Sequence, residues 1–595
     1  MPSSAAPPVA VLRGGEWLLT TPAADAVFTP ERLSDEHKLI AATASAFIAN
    51  EVLPVLARLE EKDWALSRQL LRRCGDLGLL GVDAAEAYGG MDLDKVTSMI
   101  VSERMSNAAS FAATFGAQAN LTVLPLSLFG TDDQKQRYLP RLVSGDIVGA
   151  YCLSESGSGS DALGAKTTAR LQSDGSYLLN GEKMWITNGG LADVFIVFAQ
   201  VVGGDQPQFS AFIVDRASGV TSGKEEHKMG LHGSSTTPIV LQDARVPASN
   251  LLGEIGKGHK VAFNVLNFGR FKLGAMCAGG AKGAIGESAR YAAERRQFGQ
   301  PIASFGAIKH KLGAMTVRTY AVESLAYRTA GMIDARMASG GPVGSTAALA
   351  ALEEYAIEAS IAKVAGSEVL DFVLDENIQI HGGNGYVSDY PAERHYRDSR
   401  VNRIFEGTNE INRLLIGGML ARRAAKNELP LIAAAKALQE EVLAPPALAA
   451  AGGGVLDDER RTLNGLKKAT LLVFGLGLQR YGVKAADEQE FLVAVADIAM
   501  AVYAADSAVL RAQAAHATGV ARASFHVDAA QVAVSDAAFA VEAAAREALA
   551  SIAAGDDLRL ALAALRRFVK PTPINTVERR RRLADETAAR GGYIF

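Results

Sequence analysis

The chain has 595 residues, 49% hydrophobic and 21% charged, with a formal net charge of −4. That is the composition of a globular protein with several cores, and its charge gives no overall pull toward nucleic acid. Three separated cysteines, Cys74, Cys152 and Cys277, form no CxxC pair. They argue against a disulfide scaffold or a structural zinc, and for a reducing compartment.

Residues 1–30, rich in Ala and Pro, read as a loosely structured arm without the pattern of a signal or transit peptide. No stretch offers ~18 uninterrupted apolar residues, so no membrane span is expected. Residues 31–147 read as a helical domain. Its first helix opens on a Ser34 cap with Glu36 in the first turn, and "DDQKQRYLPRLVSG" is a short helix closed by Gly145. Near Val148 the period changes. "SYLL", "KMWIT", "DVFIVFAQV", "FSAFIVDR" and "TPIVLQDARVP" are short apolar runs between turn signals, so 148–257 reads as an antiparallel β domain. Helical spacing returns at Gly258 with a long helix rich in small residues, and 258–420 is a helical bundle. "APPALAAAGGG" at 444–454 is the best linker, and 421–595 is a further helical extension. The order is α+β with the β part inserted. Arg579 to Arg582 form a basic cluster that reads as a solvated helical face.

"GAYCLSESGSGSDALGAK" holds Gly157-x-Gly159-x-x-Ala162, but a dinucleotide fingerprint needs a helix at the loop within a parallel βαβ unit. A meander follows instead. Such a Gly/Ser loop still exposes backbone N–H groups suited to phosphate oxygens, or is a plain flexible loop. Trp185 in "MWITN" is placed to stack on a planar group, or to fill a core. "RIFEGTNE" sets Glu406 after Ile404 and Phe405 and before Gly407. Alone it is a solvated glutamate at a helix start capped by Thr408. The helix it opens is expected to point Ile411, Leu414 and Leu415 into the bundle.

Five motifs in order, "YCLSESGSGSD" (151–161), "KMWITNG" (183–189), "ERRQFGQPI" (294–302), "QIHGGNGY" (379–386) and "RIFEGTNEINR" (403–413), together resemble the acyl-CoA dehydrogenase family of flavoproteins. "NVLNFGRF", "ASFGAIKHKLGAM" and the extension resemble its very-long-chain branch. The resemblance implies FAD held between an N-terminal helical domain, a central antiparallel β-barrel and a four-helix bundle, with an extra C-terminal helical domain. Carried over, Tyr151, Leu153, Ser154, Gly159 and Ser160 line the flavin and its phosphates, with Ser160 also near the CoA ester. Trp185, Ile186 and Thr187 pack on the isoalloxazine. Arg295, Gln297 and Phe298 reach the FAD of a partner subunit, joined by Gln379, Ile380, Gly382 and Gly383. Thr408, Asn409 and Glu410 follow the base along the flavin, and Asn267, Phe268, Arg270 and Gly407 contact the substrate. A His–Gln pair of shorter members falls on Phe305 and Gly306, which removes those side-chain contacts.

The implied reaction is α,β-dehydrogenation of a long- or very-long-chain acyl-CoA to trans-2-enoyl-CoA, the first step of fatty-acid β-oxidation. Glu406 removes the α-proton and the β-hydrogen passes as hydride to flavin N5. Some relatives carry the base on the helix bearing "NFGR", where this chain has Gly269. The resemblance also implies a homodimer, an electron-transfer flavoprotein as acceptor and no nucleic acid. It places the protein in a bacterial cytoplasm or a mitochondrial matrix, with peripheral membrane contact through 421–595 allowed by amphipathic segments at 429–446 and 463–482. The competing readings are an acyl-CoA oxidase and a flavin-binding assembly or DNA-protective protein.

Overall fold

A capping box fixes where the first domain begins: the Ser34 side chain accepts the His37 N–H, and the His37 ring takes the Ser34 N–H. It opens α1 (Asp35–Phe47) in a computed structural model that describes residues 8–340, 344–443 and 453–595. Helices α2 (Trp64–Asp76), α3 (Lys95–Met105), α4 (Ala109–Gln118) and α5 (Asp132–Val143) follow. A second capping box, Thr131 with Gln134, starts α5, and Gly145 at φ 74° ends the turn beyond it.

The β domain holds β1 (Gly149–Cys152), β2 (Thr168–Leu171), β3 (Tyr177–Thr187), β4 (Val194–Val202), β5 (Gln208–Asp215), β6 (Val220–Ser222), β7 (Thr236–Val246) and β8 (Leu251–Leu252). Their order is β6-β7-β3-β2-β4-β5-β8, with β1 also on β4. The structure corrects the expected antiparallel barrel twice. Among the described residues no pairing joins β6 to β8, so the sheet is open. It is also mixed, because β1 and β2 both run parallel to β4. The cause is the Gly/Ser loop. β1 pairs with Val194 to Val197 and β2 with Gln200 to Val202, so the two are halves of one strand position from which residues 153–167 bulge out. A chain that resumes its direction after such an excursion stays parallel to the same neighbour.

The bundle is built on α6 (Gly258–Glu294), α7 (Gly306–Ala338), α8 (Ala356–His381) and α10 (Asn409–Ala425), with short α9 (Pro391–Ser399) along its side. Small residues let α6 and α8 touch: a Cβ on Gly274 would stand 2.6 Å from the Ala362 carbonyl oxygen. At 37 residues, α6 is about 55 Å long and reaches from one end of the bundle to the other.

The extension comprises α11 (Asp457–Tyr481), α12 (Gln489–Ala517), α13 (Ala523–Ile552), α14 (Gly555–Phe568) and α15 (Thr576–Arg590). Leu463, Leu466, Val473 and Phe474 of α11 are buried in its core, so the apolar face of 463–482 serves packing. Within the 429–446 segment, Leu431 and Leu438 are buried too. Residues 444–452, most of the expected linker, lie outside the described ones. Two helical stretches, Asp35–Glu60 and Gln489–Ala517, are long and apolar enough to cross a membrane. Scattered polar residues hide them from a search for unbroken apolar runs, and α12 spends most of that surface inside the core. The basic cluster is paired in part: Arg580 meets Asp536, and Arg579 and Arg582 meet Asp528, while Arg581 and Arg582 stay exposed on the helical face.

The N-terminal arm also differs from expectation. Its described part is pinned across the bundle by Trp17, fully buried, whose indole N–H donates to Glu358 Oε1 at 2.9 Å. Arg423 donates to the Gly14 carbonyl at 2.6 Å, and Tyr355 to that of Leu12 at 2.7 Å.

Candidate active site

Glu406 lies in the turn between α9 and α10, at φ 58°, followed by Gly407 at φ 78°. Two successive left-handed residues, one bearing a side chain, cost of order 1–3 kcal/mol unless the surroundings hold them. Three donors do so. Arg270 Nε donates to the Glu406 carbonyl at 3.1 Å, and Lys363 Nζ and Asn412 Nδ2 to the Gly407 carbonyl at 2.7 and 2.8 Å. Thr408 caps α10 as its sequence suggests, accepting the Ile411 N–H at 3.3 Å. The buried face of α10, however, is Asn409, Asn412, Ile416 and Leu420, while Ile411, Leu414 and Leu415 are half-buried. Asn409 is locked to Lys363, Ser367 and Glu368 and Glu410 is exposed, so Asn409 positions the turn rather than facing a ligand with its side chain.

The carboxylate packs against bare backbone. A Cβ on Gly269 would stand 2.6 Å from Glu406 Oε2, so only glycine leaves room there. That oxygen is buried without a hydrogen-bond partner in the chain, and so is the hydroxyl of Tyr151. Paired polar atoms are the rule inside proteins, and two orphans close enough to couple mark a place for chemistry. Burial pushes the Glu406 carboxyl up to about 7, against the lowering pull of Arg270 and Lys363. Burial, and then the charge of Glu406, hold the Tyr151 phenol well above its ordinary range. Burial also brings Lys363 down to about 8.

The Gly/Ser loop is anchored at its base and open at its tip. Glu155 accepts the N–H groups of Lys166 and Thr167 and the ammonium of Lys183 at 2.7 Å, while the Met184 N–H bonds the Ser154 carbonyl at 2.9 Å. Gly157 and Gly159 face open space, and Gly159 and Ser160 are exposed. Lys183→Met is expected to lower stability by about 3–5 kcal/mol, because it leaves Glu155 buried with a lone charge. A denaturation midpoint equal to wild type would show the pair to be dispensable.

A β-bulge between Lys183 and Ile186 turns Trp185 outward at φ 57°, leaving its ring 57% exposed. Ile186 and Leu153 instead point into the core, so their part in any site is confined to the backbone. The same correction applies to Phe268. It is fully buried, with Lys272 Nζ 4.5 Å from its ring centroid, and its side chain packs in the core. Asn267 and Arg270 are nearly buried and bonded to each other at 2.9 Å, so they support the Glu406 turn.

Behind Phe405 lies a cavity of about 580 Å³. Ile404 and Phe405 are exposed rather than core residues, and Phe405 forms one end of the cavity wall. Met276, Cys277, Gly280 and Gly283 of α6 line it, together with Ser106, Asn107, Ala109 and Ala113.

Arg295, Gln297 and Phe298 do not join this site. They lie 26 or more residues beyond Gly269 along and past α6, about 38 Å away. Phe298 stands at φ 51° on the tip of the hairpin of β9 (Arg296–Gln297) and β10 (Gln300–Pro301), 92% exposed. Gln379, Gly382 and Gly383, all exposed, end α8 on the same side, where Tyr291 stacks on His381 at 4.1 Å. Ile380 is buried in the core there. Sequence reasoning missed Lys363, Asn412, Lys183 and Glu155. A lone lysine inside the apolar run "ASIAKVAG" was the available signal for Lys363.

Models of acyl-CoA dehydrogenase domains match the chain in order: the N-terminal domain at 34–146, the middle domain at 150–244, a C-terminal domain at 256–421 and a further C-terminal domain at 465–567. A probable acyl-CoA dehydrogenase of Bacillus subtilis is 47% identical over 585 residues, covering 96% of this chain and 97% of that one. The human mitochondrial very long-chain specific acyl-CoA dehydrogenase is 40% identical over 57% of this chain and 51% of its own. Among solved structures, an acyl-CoA dehydrogenase of Bacillus anthracis complexed with FAD superposes with a TM-score of 0.95 at 48% identity, covering 98% of this chain and 100% of that chain.

Proposed function

Because the chain belongs to the acyl-CoA dehydrogenase family, we propose that it uses FAD to oxidise long-chain acyl-CoA thioesters to trans-2-enoyl-CoA, with Glu406 as base. The observation that carries this reading is the Glu406 carboxylate. It is partnerless at Oε2, raised to about 7, and preceded by Phe405, which lines a cavity of about 580 Å³.

The residues present fit a flavin. The open tip of the Gly/Ser loop presents backbone N–H groups for phosphates, the outward Trp185 ring offers a face to a planar system, and Tyr151 Oη is buried without a partner. When bound, FAD supplies the acceptor for the β-hydrogen and its two electrons. The remaining chemistry belongs to side chains. Glu406 takes the α-proton onto its carboxylate as the α-C–H bond breaks, and the Arg270, Lys363 and Asn412 contacts to the Glu406 and Gly407 carbonyls hold the turn that carries it. Desolvation raises its basicity to the range a general base needs near neutral pH.

The rate of flavin bleaching at sub-saturating acyl-CoA should therefore rise with pH through an inflection near 7, because only the ionised carboxylate accepts a proton. A profile flat from pH 6 to 8 would remove Glu406 as the titrating base. Arg295, Gln297 and Phe298, about 38 Å from Gly269, are assigned to the cofactor site of a second copy, which makes the working unit at least a homodimer. An electron-transfer flavoprotein is the proposed acceptor. The deciding experiment is anaerobic bleaching by butyryl-, octanoyl-, palmitoyl- and eicosanoyl-CoA. Palmitoyl-CoA should bleach fastest at low concentration, and a preference for butyryl-CoA would overturn the long-chain reading.

A further inference from the structure

Helix α6 acts as a ruler for the cavity. Gly269 lies against Glu406, Gly279 against Glu103 and Ser106, Gly283 against Asn107, and Gly286 against the carbonyl of Gly591. Along α6 the cavity lining runs from Met276 to Arg290, about 21 Å of helix, and begins about 10 Å beyond Gly269. At about 1.25 Å of advance per carbon, from C–C bonds of about 1.5 Å, the lined stretch has room for roughly 17 carbons. Gly592 lines the cavity too, and its neighbour Gly591 meets Gly286 and Arg290 at the C-terminal end of that stretch.

The segment that supplies Gly592 follows α15 of the extension and is held firmly. Arg290 donates to the Gly591 carbonyl at 2.9 Å, and Tyr593 Oη to Glu323 Oε2 at 2.7 Å. The Phe595 ring packs on Tyr320 and His526 with centroids 4.5 and 4.7 Å away. Glu323 is itself buried between Lys282, which lines the cavity, and Arg511 of α12. The floor is thus tied into both the bundle and the extension.

We propose that residues 591–593 form the floor of the acyl-chain cavity, so that the extension sets the longest chain accepted. This inference rests on the reading of the cavity as the acyl site. A Cβ at Gly592 meets nothing within 4 Å, so this lining position has room for a larger side chain.

Gly592→Phe and Gly592→Leu are the test, measured as Kd and bleaching rate with octanoyl-, palmitoyl- and eicosanoyl-CoA on the full FAD-loaded protein. Thermal melting confirms folding, and the smaller Leu variant serves if Phe is not tolerated. The eicosanoyl-to-octanoyl ratio should fall about tenfold or more, since several methylenes lose their buried site. A ratio equal to wild type, or an equal loss at all lengths, overturns the proposal. Met276→Trp, nearer Glu406, separates the two readings. If it cuts off palmitoyl-CoA while Gly592→Phe changes nothing, the cavity stands and the floor is wrong. If Met276→Trp also leaves the length profile unchanged, the acyl-site reading itself fails.

Discussion

Glu406→Gln is expected to leave FAD bound and to slow its bleaching by acyl-CoA about 10²–10⁴-fold, the usual contribution of a general base. The geometry makes this variant clean. Glutamine keeps the length that fits against Gly269, and the turn is held through backbone carbonyls that the substitution does not touch. Stability offers an independent check. A carboxyl whose folded value lies at about 7, above its ordinary 4.5, costs nothing below pH 4.5, where both states are protonated. The cost grows as pH rises toward 7 and is full beyond it. The Gln variant lacks that charge, so at pH 8 it should melt no lower than wild type. Undiminished bleaching would discard Glu406 as base, and loss of both flavin and bleaching would assign it to cofactor binding.

Much of this site is legible in the residues because local rules decide it. Thr408 reads as a cap three residues before Ile411, and the structure has that bond. Gly407 after a glutamate reads as a turn, and both residues are left-handed. Ser34 declares its helix in the same way. What depends on distant partners is not legible. Trp17 is buried against Glu358, 341 positions away, so a stretch rich in Ala and Pro gives no hint that it is fastened. Strand direction is likewise absent from periodicity. Alternation marks the segment after the Gly/Ser loop as a meander, but not that β2 shares one line with β1 beside β4. Phe268 and Ile380 show the limit of a motif: family position puts them at the site, while their side chains serve the core behind it.

Gly269→Ala tests whether the carboxylate needs its present position, and should slow bleaching by about 10²-fold. The added methyl would lie 2.6 Å from Oε2 and 2.9 Å from the carboxyl carbon, closer than carbon tolerates, and a tight 3.1 Å from Oε1. Something must move, and the free end of Glu406 is what moves most cheaply, because the backbone of α6 is held against α8 at Gly274 and against α3 at Gly279. Folding should therefore survive. A displacement approaching 1 Å at the reacting atoms is enough for a loss of that size. The direction of the pH response separates displacement from simple crowding of substrate. A carboxylate pushed out of its dry position regains water, its pKa falls from about 7 toward the ordinary carboxylate range, and the inflection in bleaching moves to lower pH. Crowding of substrate alone would lower the rate and leave the inflection near 7. If rate and inflection both match wild type, the carboxylate has freedom that its contact with Gly269 denies, and the bare backbone at that position has no part in placing the base.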